Sequence, residues 1–187
     1  MLHLVTGGSA SGKSAYGEQA VQKAGTPFCY YLATMHPWGE EGQARAARHR
    51  RQRAGKGFIT IEAYRCLEQV VLQPRQALQR DKAVLVECMS NLVANELFEG
   101  GGSDREILRR IEHGICHLLD SAETVVVVTN EVFSDGVAYE AGTMRYIRLL
   151  GQANQRLAVL ADKVTEVVYG IATERKAGAF GLAKEGK

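Results

Sequence analysis

The first fourteen residues contain the pattern that most constrains this chain. Gly7–Ser14 read Gly-Gly-Ser-Ala-Ser-Gly-Lys-Ser and directly follow a short apolar run, Leu2–Thr6. This is a complete G-x-x-x-x-G-K-S phosphate-binding loop, which needs a buried strand before it and a helix after it. The helix-forming stretch Ser14–Ala24 supplies the second condition. Because backbone N–H groups of such a loop and the helix N-terminus both point at one anion, we expect a nucleotide phosphate site here.

Two side chains of the loop have chemical roles in this interpretation. Lys13 is expected to reach the β- and γ-phosphates, and the Ser14 hydroxyl is expected to be a ligand of Mg²⁺. The alternative is a glycine-rich turn that merely joins a strand to a helix. The strand pattern in front and the helix pattern behind favour the phosphate-binding interpretation.

Composition excludes several other classes of protein. The chain has 187 residues and a net charge of +2, from 23 basic and 21 acidic residues, which is too little for a nucleic-acid-binding surface over the whole molecule. Four widely separated cysteines form no C-x-x-C pair, and no apolar stretch approaches the roughly 20 residues of a membrane span. We therefore expect a cytoplasmic protein with reduced thiols, one domain over residues 1–175 and a loosely held tail over residues 176–187.

Strand and helix patterns alternate along the chain. The predicted strands are Leu2–Thr6, Phe28–Thr34, Phe58–Ala63, Ala83–Cys88, Thr124–Asn130 and Val164–Ile171. The predicted helices are Ser14–Ala24, Glu40–Arg53, Tyr64–Gln79 with a break or kink at Pro74, Asp104–Ser121 behind a Ser103/Glu106 capping box, and Gly142–Ala161. This order predicts an α/β fold with a mostly parallel sheet and helices on both faces.

Polar residues at the carboxyl ends of parallel strands are candidates for the site, because ligands collect there. Glu87 follows an apolar strand and could hold Mg²⁺ or its water, although a capping or salt-bridged glutamate is the alternative. The second strand ends in Thr34-Met35-His36. Thr129-Asn130-Glu131 follows the fifth strand, and there a functional role and simple capping remain equally open.

A basic helix is the second unusual feature. Gly42–Ile61 contains no acidic residue, and Arg45, His49 and Arg53 are spaced to share one helix face. This face could clamp phosphates around an imidazole that the neighbouring guanidinium groups keep neutral, so that His49 could act as a base or a nucleophile. Two alternatives remain, a solvated basic face and a nucleic-acid backbone contact, the latter weakened because aromatic residues are not interleaved.

In combination these motifs resemble the adenosylcobinamide kinase/adenosylcobinamide-phosphate guanylyltransferase family over nearly the whole chain. The matching segments are T-G-G-x-x-S-G-K-S at Thr6–Ser14, A-T at Ala33-Thr34, R-x-x-x-H-R-x-x-R at Arg45–Arg53, T-x-E at Thr60–Glu62, E-C at Glu87-Cys88 with Asn95 downstream, T-N-E-V at Thr129–Val132 and G-x-x-N-Q-R-L-A at Gly151–Ala158. The loop alone matches many families, whereas the ordered set with its histidine in an arginine-rich frame is specific.

The resemblance implies two activities, a RecA-like P-loop NTPase sheet and a homotrimer. The loop, Lys13, Ser14 and Mg²⁺ would transfer the γ-phosphoryl group of ATP or GTP to adenosylcobinamide. His49 would then form a covalent GMP-enzyme from GTP and pass GMP to adenosylcobinamide phosphate. With the resemblance, the expected catalytic residues are His49 and Lys13, the metal ligands are Ser14 and Glu87, and the nucleotide-binding residues are Gly7, Gly8, Ser9, Ala10, Ser11, Gly12, Lys13, Ser14, Thr34, Met35, His36, Arg50, Arg51, Gln52, Arg53, Glu62 and Glu87.

The chain departs from the family pattern at two places. Arg53–Phe58 lacks the tryptophan and proline of many relatives, and Phe-Ser-Asp-Gly follows Val132 where a Gly-rich, Pro-containing loop is usual. No N-K-x-D guanine motif is present. Two other functions therefore compete with the bifunctional one: a P-loop kinase of another small metabolite whose basic helix is only a lid, and a non-catalytic nucleotide-dependent binding module.

Overall fold

Seven strands form one sheet in a computed structural model that describes residues 1–37, 39–53, 55–74, 78–131 and 139–177. Their order across the sheet is β3-β2-β4-β5-β1-β6-β7, and every neighbouring pair is parallel except β6 with β7. The strands are β1 Leu2–Thr6, β2 Phe28–Ala33, β3 Phe58–Glu62, β4 Lys82–Glu87, β5 Thr124–Val128, β6 Lys163–Val168 and β7 Ile171–Lys176.

Five α-helices connect the described strands. They are α1 Lys13–Lys23, α2 Gly39–Arg53, α3 Met89–Asn95, α4 Asp104–Ser121 and α5 Ala141–Leu160. One π-helical turn, Glu96–Gly100, extends α3, and single 3₁₀ turns lie at Leu67–Gln69 and Gln79–Asp81. Among the described helices none has both the length and the apolar character needed to cross a bilayer.

Alternation along the central strands sends side chains to two separate cores. Leu4 and Val86 belong to the larger core, which also takes in α3, α4 and α5, whereas Val5 and Leu85 belong to a smaller one that includes Val21 of α1. Because successive side chains of a strand point to opposite faces, helices cover both faces of the sheet. The predicted α/β fold with a mostly parallel, doubly covered sheet is confirmed.

Helix α4 shows how local sequence sets a boundary. The Ser103 hydroxyl accepts from the Glu106 backbone N–H at 3.3 Å, and the Glu106 carboxylate accepts from the Ser103 backbone N–H at 2.8 Å. Such a cap stabilises a helix by about 1 kcal/mol. The helix occupies Asp104–Ser121 as predicted, and its buried stripe faces the larger core.

Two predicted elements are wrong. Over the described residues of Tyr64–Gln79, which exclude 75–77, the predicted helix is replaced by the 3₁₀ turn Leu67–Gln69, because Cys66 has a left-handed backbone (φ 52°) and Val70 is already extended. The single strand predicted over Val164–Ile171 is instead two antiparallel strands joined at Tyr169-Gly170, both with positive φ. Helix α3 was not predicted, since seven residues give too short a pattern to distinguish from a loop.

A buried histidine on β1 predicts a pH-dependent stability. His3 is 4% exposed and its Nε2 lies 2.8 Å from the Thr165 hydroxyl of β6. Burial, then the charge of Lys163, lowers the pKa of His3 to about 4. The unfolded chain binds this proton near pH 6.5 and the folded protein only near pH 4, so the free energy of unfolding should fall by about 3 kcal/mol between those values.

Urea denaturation of wild type and His3→Gln between pH 4 and 7 measures this effect. The glutamine can still hydrogen-bond Thr165 but has no proton to gain. We expect the variant to lose less stability on acidification than wild type, and parallel pH profiles would show that His3 is not the responsible group.

Candidate nucleotide site

The loop Gly7–Ser14 joins β1 to α1 at the carboxyl edge of the sheet. A side chain at Gly7 would lie 2.4 Å from the Val167 carbonyl oxygen, and Gly12 has a left-handed backbone with φ 94°. Both positions therefore require glycine. No described side chain caps the first turn of α1, which also contains no acidic residue. Its backbone N–H groups and positive dipole end are available to an anion, as the motif predicts.

The structure brings Lys13, Ser14 and Glu87 together. The Lys13 side chain is 7% exposed and its Nζ donates to the Gly8 carbonyl oxygen at 2.8 Å, so the ammonium lies inside the loop. The Ser14 hydroxyl donates to Glu87 Oε1 at 2.8 Å across 73 residues of sequence. The two predicted metal ligands are therefore adjacent, and both are hard oxygen donors.

Two oxygen donors are enough protein ligands for Mg²⁺, but too few for a metal ion that is held by protein side chains alone. Mg²⁺ commonly takes one or two protein oxygens and completes its octahedron with water and substrate phosphates. Within the described residues no group of three or more His, Cys, Asp and Glu side chains could hold a metal ion. A metal at Ser14 and Glu87 would therefore depend on the phosphates of a bound nucleotide.

The end of β2 is fixed by buried polar contacts. Thr34 is fully buried, and its hydroxyl donates to the Cys88 carbonyl oxygen at 2.8 Å. The Asn95 amide donates to the carbonyl oxygens of Thr34 and Tyr64, at 2.8 and 2.9 Å. The Thr34 side chain thus ties β2 to the end of β4 and is turned away from solvent, whereas Met35 and His36 are half-buried at the edge of the site.

A cleft of about 500 Å³ opens beyond β3, and its lining includes His36, Glu62 and Tyr64. The rings of His36 and Tyr64 lie 4.5 Å apart, and the Tyr64 hydroxyl donates to the exposed Glu62 carboxylate at 2.7 Å. Behind the cleft, buried Glu96 accepts from the Cys66 N–H at 2.9 Å and pairs with Arg110 at 2.8 Å. The structure therefore brings two predicted nucleotide-binding residues, His36 and Glu62, to one cavity.

A polar network that the sequence did not predict lies at the ends of β4 and β5. The Asn130 amide donates to the Ser90 hydroxyl at 2.7 Å, and Cys88 Sγ lies 2.9 Å from the same hydroxyl. The buried Thr129 hydroxyl donates to Asn154 Oδ1 at 2.7 Å. Three residues of this network, Thr129, Asn130 and Asn154, lie in the T-N-E-V and N-Q-R-L-A segments, but the sequence does not predict that Asn130 and Asn154 are in contact. For Thr129 the structure favours a role in packing.

Cys88 is a poor nucleophile despite its place beside Glu87. Burial, then the Glu87 charge, raises the pKa of the Cys88 thiol. A thiol must lose its proton to attack phosphorus, so this environment keeps Cys88 in its unreactive form. Its Sγ atom instead forms a hydrogen bond with the Ser90 hydroxyl in the polar network.

The predicted basic helix is present as α2, Gly39–Arg53. Arg48 and Arg51 are exposed to solvent. The helical backbone keeps the i−4, i, i+4 spacing around His49. The structure describes only the backbone of Arg45, His49, Arg50, Gln52 and Arg53, among other residues of this helix. Residues 132–138 and 178–187 lie outside the described residues.

The chain is similar to proteins of known identity. It is 36% identical over 188 residues to the bifunctional adenosylcobalamin biosynthesis protein CobU of Salmonella typhimurium, covering 94% of this chain and 100% of that protein. The Escherichia coli CobU protein is 31% identical with the same coverage. Among solved structures, the flagellar accessory protein FlaH of Methanocaldococcus jannaschii superposes with a TM-score of 0.48 at 11% identity, covering 95% of this chain and 78% of that one.

The family assignment does not depend on the structural neighbour. The model of the family described as cobinamide kinase/cobinamide phosphate guanyltransferase matches residues 3–174, which include the phosphate-binding loop, α2 and Glu87. The two CobU proteins match over their full length. The chain belongs to the cobinamide kinase/cobinamide phosphate guanyltransferase family.

Proposed function

We propose that this protein carries out two consecutive transfers in adenosylcobalamin biosynthesis: it phosphorylates adenosylcobinamide, then converts the product to adenosylcobinamide-GDP with GTP. The observation that carries the proposal is the contact of Ser14 with Glu87 beside a buried Lys13, in a chain of this family. Residues 1–175 would form the domain that carries both activities.

The kinase step follows from the loop. Backbone N–H groups of Gly7–Ser14 would bind the phosphates, and Lys13 would exchange its contact with the Gly8 carbonyl for one with the transferring phosphoryl group. The acceptor hydroxyl attacks the γ-phosphorus, its proton leaves, and the bond to the β-phosphate oxygen breaks. Mg²⁺ held by Ser14 and Glu87 would supply charge neutralisation of the phosphates.

The guanylyl step needs a nucleophile, and we assign it to His49. An imidazole nitrogen attacks the α-phosphorus of GTP, pyrophosphate leaves, and a phosphoramidate forms. A phosphate oxygen of adenosylcobinamide phosphate then attacks the same phosphorus and releases the imidazole. Arg45 and Arg53, which the helical spacing puts on the same face as His49, are proposed to bind the departing pyrophosphate. His36 and Glu62 are proposed to contact the GTP of this guanylyl step from the cleft.

Other parts of the proposal concern partners. The corrinoid is proposed as the acceptor because the chain belongs to this family. Three further statements stay predictions: the protein is a homotrimer, it is cytoplasmic, and it does not bind nucleic acid. The loop 132–138 is proposed to border the corrinoid.

One labelling experiment separates the competing functions. The protein is incubated with GTP labelled at either the α- or the γ-phosphate, with and without adenosylcobinamide. We expect α-label on the protein when the corrinoid is absent, and both γ-label and α-label on the corrinoid when it is present. Transfer of γ-label alone would indicate a simple kinase, and no transfer from either position would indicate a nucleotide-dependent binding module.

Glu87→Gln should raise the Mg²⁺ concentration needed for both reactions by about tenfold, on the scale of losing a group that orients a metal site. The amide can still accept from the Ser14 hydroxyl, so the fold keeps its contact while the metal loses a negative charge. Rates measured across a Mg²⁺ titration test this, with the melting temperature expected to change little.

Glu123→Gln is the matched control for Glu87→Gln. Glu123 is an exposed glutamate that precedes β5, so it lies at the opposite edge of the sheet from the loop. The Glu123→Gln variant should need the same Mg²⁺ concentration as wild type for both reactions. If Glu87→Gln also gave the wild-type Mg²⁺ titration, Glu87 would have only a structural role, as the hydrogen-bond partner of Ser14.

A further inference from the structure

The turn between β6 and β7 contacts the phosphate-binding loop directly. The Gly170 backbone N–H donates to the Ser11 carbonyl oxygen at 2.8 Å. A side chain at Gly12 would lie 3.4 Å from the Gly170 Cα, and one at Gly7 would lie 2.4 Å from the carbonyl oxygen of Val167 in β6. The turn is therefore a fixed neighbour of any nucleotide whose phosphates occupy the loop.

Tyrosine is an unusual residue at position 169, because the backbone there has a positive φ. Tyr169 and Gly170 have φ of 50° and 79°, the two positive values of a type I′ hairpin turn, in which Asn-Gly is the favoured pair. A bulky residue is uncommon in this region, and such conformations tend to cluster at functional sites. The Tyr169 side chain is 94% exposed. The fold thus exposes an aromatic side chain, at a conformational cost, on the turn that contacts the loop.

The position of Glu87 sets the direction in which a bound triphosphate would run. Ser14 contacts Glu87 at the end of β4, on one side of β1 in the sheet, while β6 and its turn lie on the other side. The γ-phosphate end belongs with Lys13, Ser14 and Glu87, because phosphoryl transfer needs the metal and the lysine there. The nucleoside end of a phosphoryl donor bound in this direction would extend toward β6 and Tyr169.

We propose that Tyr169 is the stacking platform for the purine of the phosphoryl-donor nucleotide. The inference rests on the proposed function, since it assumes that the loop binds a nucleoside triphosphate. Stacking is tolerant of base identity because every base has a π-face. The donor site should therefore accept both ATP and GTP.

Binding of the non-hydrolysable β,γ-imido analogues of ATP and GTP, measured by titration calorimetry with Mg²⁺, tests this proposal. Tyr169→Ala should weaken both analogues about tenfold, the effect of losing one base–aromatic stack, while Tyr169→Phe should bind like wild type. Inorganic tripolyphosphate, which has no base, should bind wild type and Tyr169→Ala equally. Val168→Ala is the matched control, because Val168 is the neighbouring half-exposed residue of the hairpin.

The outcomes separate this inference from the proposed function. Nucleotide binding to Tyr169→Ala at wild-type affinity overturns the stacking platform and leaves the function intact. Equal weakening of tripolyphosphate overturns it as well, because the variant would then have disturbed the loop. If Tyr169→Ala changes the self-association of the protein but not its affinity for nucleotide, the stacking platform is overturned and Tyr169 is instead a contact between copies of the chain. If wild type binds neither analogue, or binds them unaffected by Lys13→Met, the proposed function and the inference fall together.

Discussion

His49→Ala is expected to form no covalent guanylyl-enzyme, so that the purified variant takes up no label from GTP labelled at the α-phosphate. Only guanylyl transfer needs a nucleophile on the protein, since phosphoryl transfer to an alcohol can proceed directly in line. The kinase reaction should therefore survive, and one substitution would separate the two activities. Label retained on denatured protein and corrinoid phosphorylation are measured on the same preparation.

The chemistry of the wild-type adduct provides an independent check. A phosphoramidate should be labile in acid and stable in alkali, and excess pyrophosphate should remove the label by regenerating GTP. His113→Ala is the matched control, because His113 is exposed on α4, away from the carboxyl edge of the sheet. It should label like wild type.

Continued labelling of His49→Ala would place the nucleophile elsewhere. His36 would then be the next residue to replace, because it borders the cleft beyond β3 together with Glu62. A His36→Ala variant that lost the label would move the covalent step to the end of β2. The kinase interpretation of the loop would be unaffected.

The parts of the fold that the sequence predicted are those whose signals are local. Helix α4 has its capping box within four residues, and β1 with its loop is a continuous motif. Tyr64–Gln79 was predicted wrongly because helix-forming residues there are overridden by tertiary contacts: Glu96 holds the Cys66 N–H, and the Tyr30 hydroxyl hydrogen-bonds to the Gln73 carbonyl. Such contacts join residues 30 and 43 positions apart, which periodicity cannot detect.

In the candidate site too, the features with a local sequence signal could be predicted, and those that depend on long-range contacts could not. Motif spacing located Lys13 and Glu87, and the parallel sheet explains why strand ends meet. The roles of Thr34 and Asn95 could not be predicted, because the side-chain partner of the Thr34 carbonyl is 61 residues away. The Ser90–Asn130 contact spans 40 residues and likewise depends on strand order. A sequence suggests which polar residues reach the edge, whereas the fold decides which of them face the ligand.

Lys13→Met should reduce the rate of adenosylcobinamide phosphorylation by about 10²-fold or more, the scale for losing a preorganised charge at a developing negative charge. Methionine has a similar length and keeps the packing of a side chain that is 7% exposed. Lys13→Ala should lose as much activity. The measurement is the steady-state rate at saturating nucleotide and Mg²⁺, so that a change in affinity does not hide a change in the chemical step.

The same substitution should leave the folded protein at least as stable as wild type. The Lys13 ammonium is buried and its hydrogen bond is to the neutral Gly8 carbonyl, which offsets little of the cost of removing a charge from water. We infer that a group retained at such a cost serves phosphate binding and not the stability of the fold. Thermal unfolding without nucleotide should therefore give an equal or higher melting temperature for Lys13→Met. A variant that stays folded and phosphorylates the corrinoid at a near-normal rate would remove the loop from the mechanism.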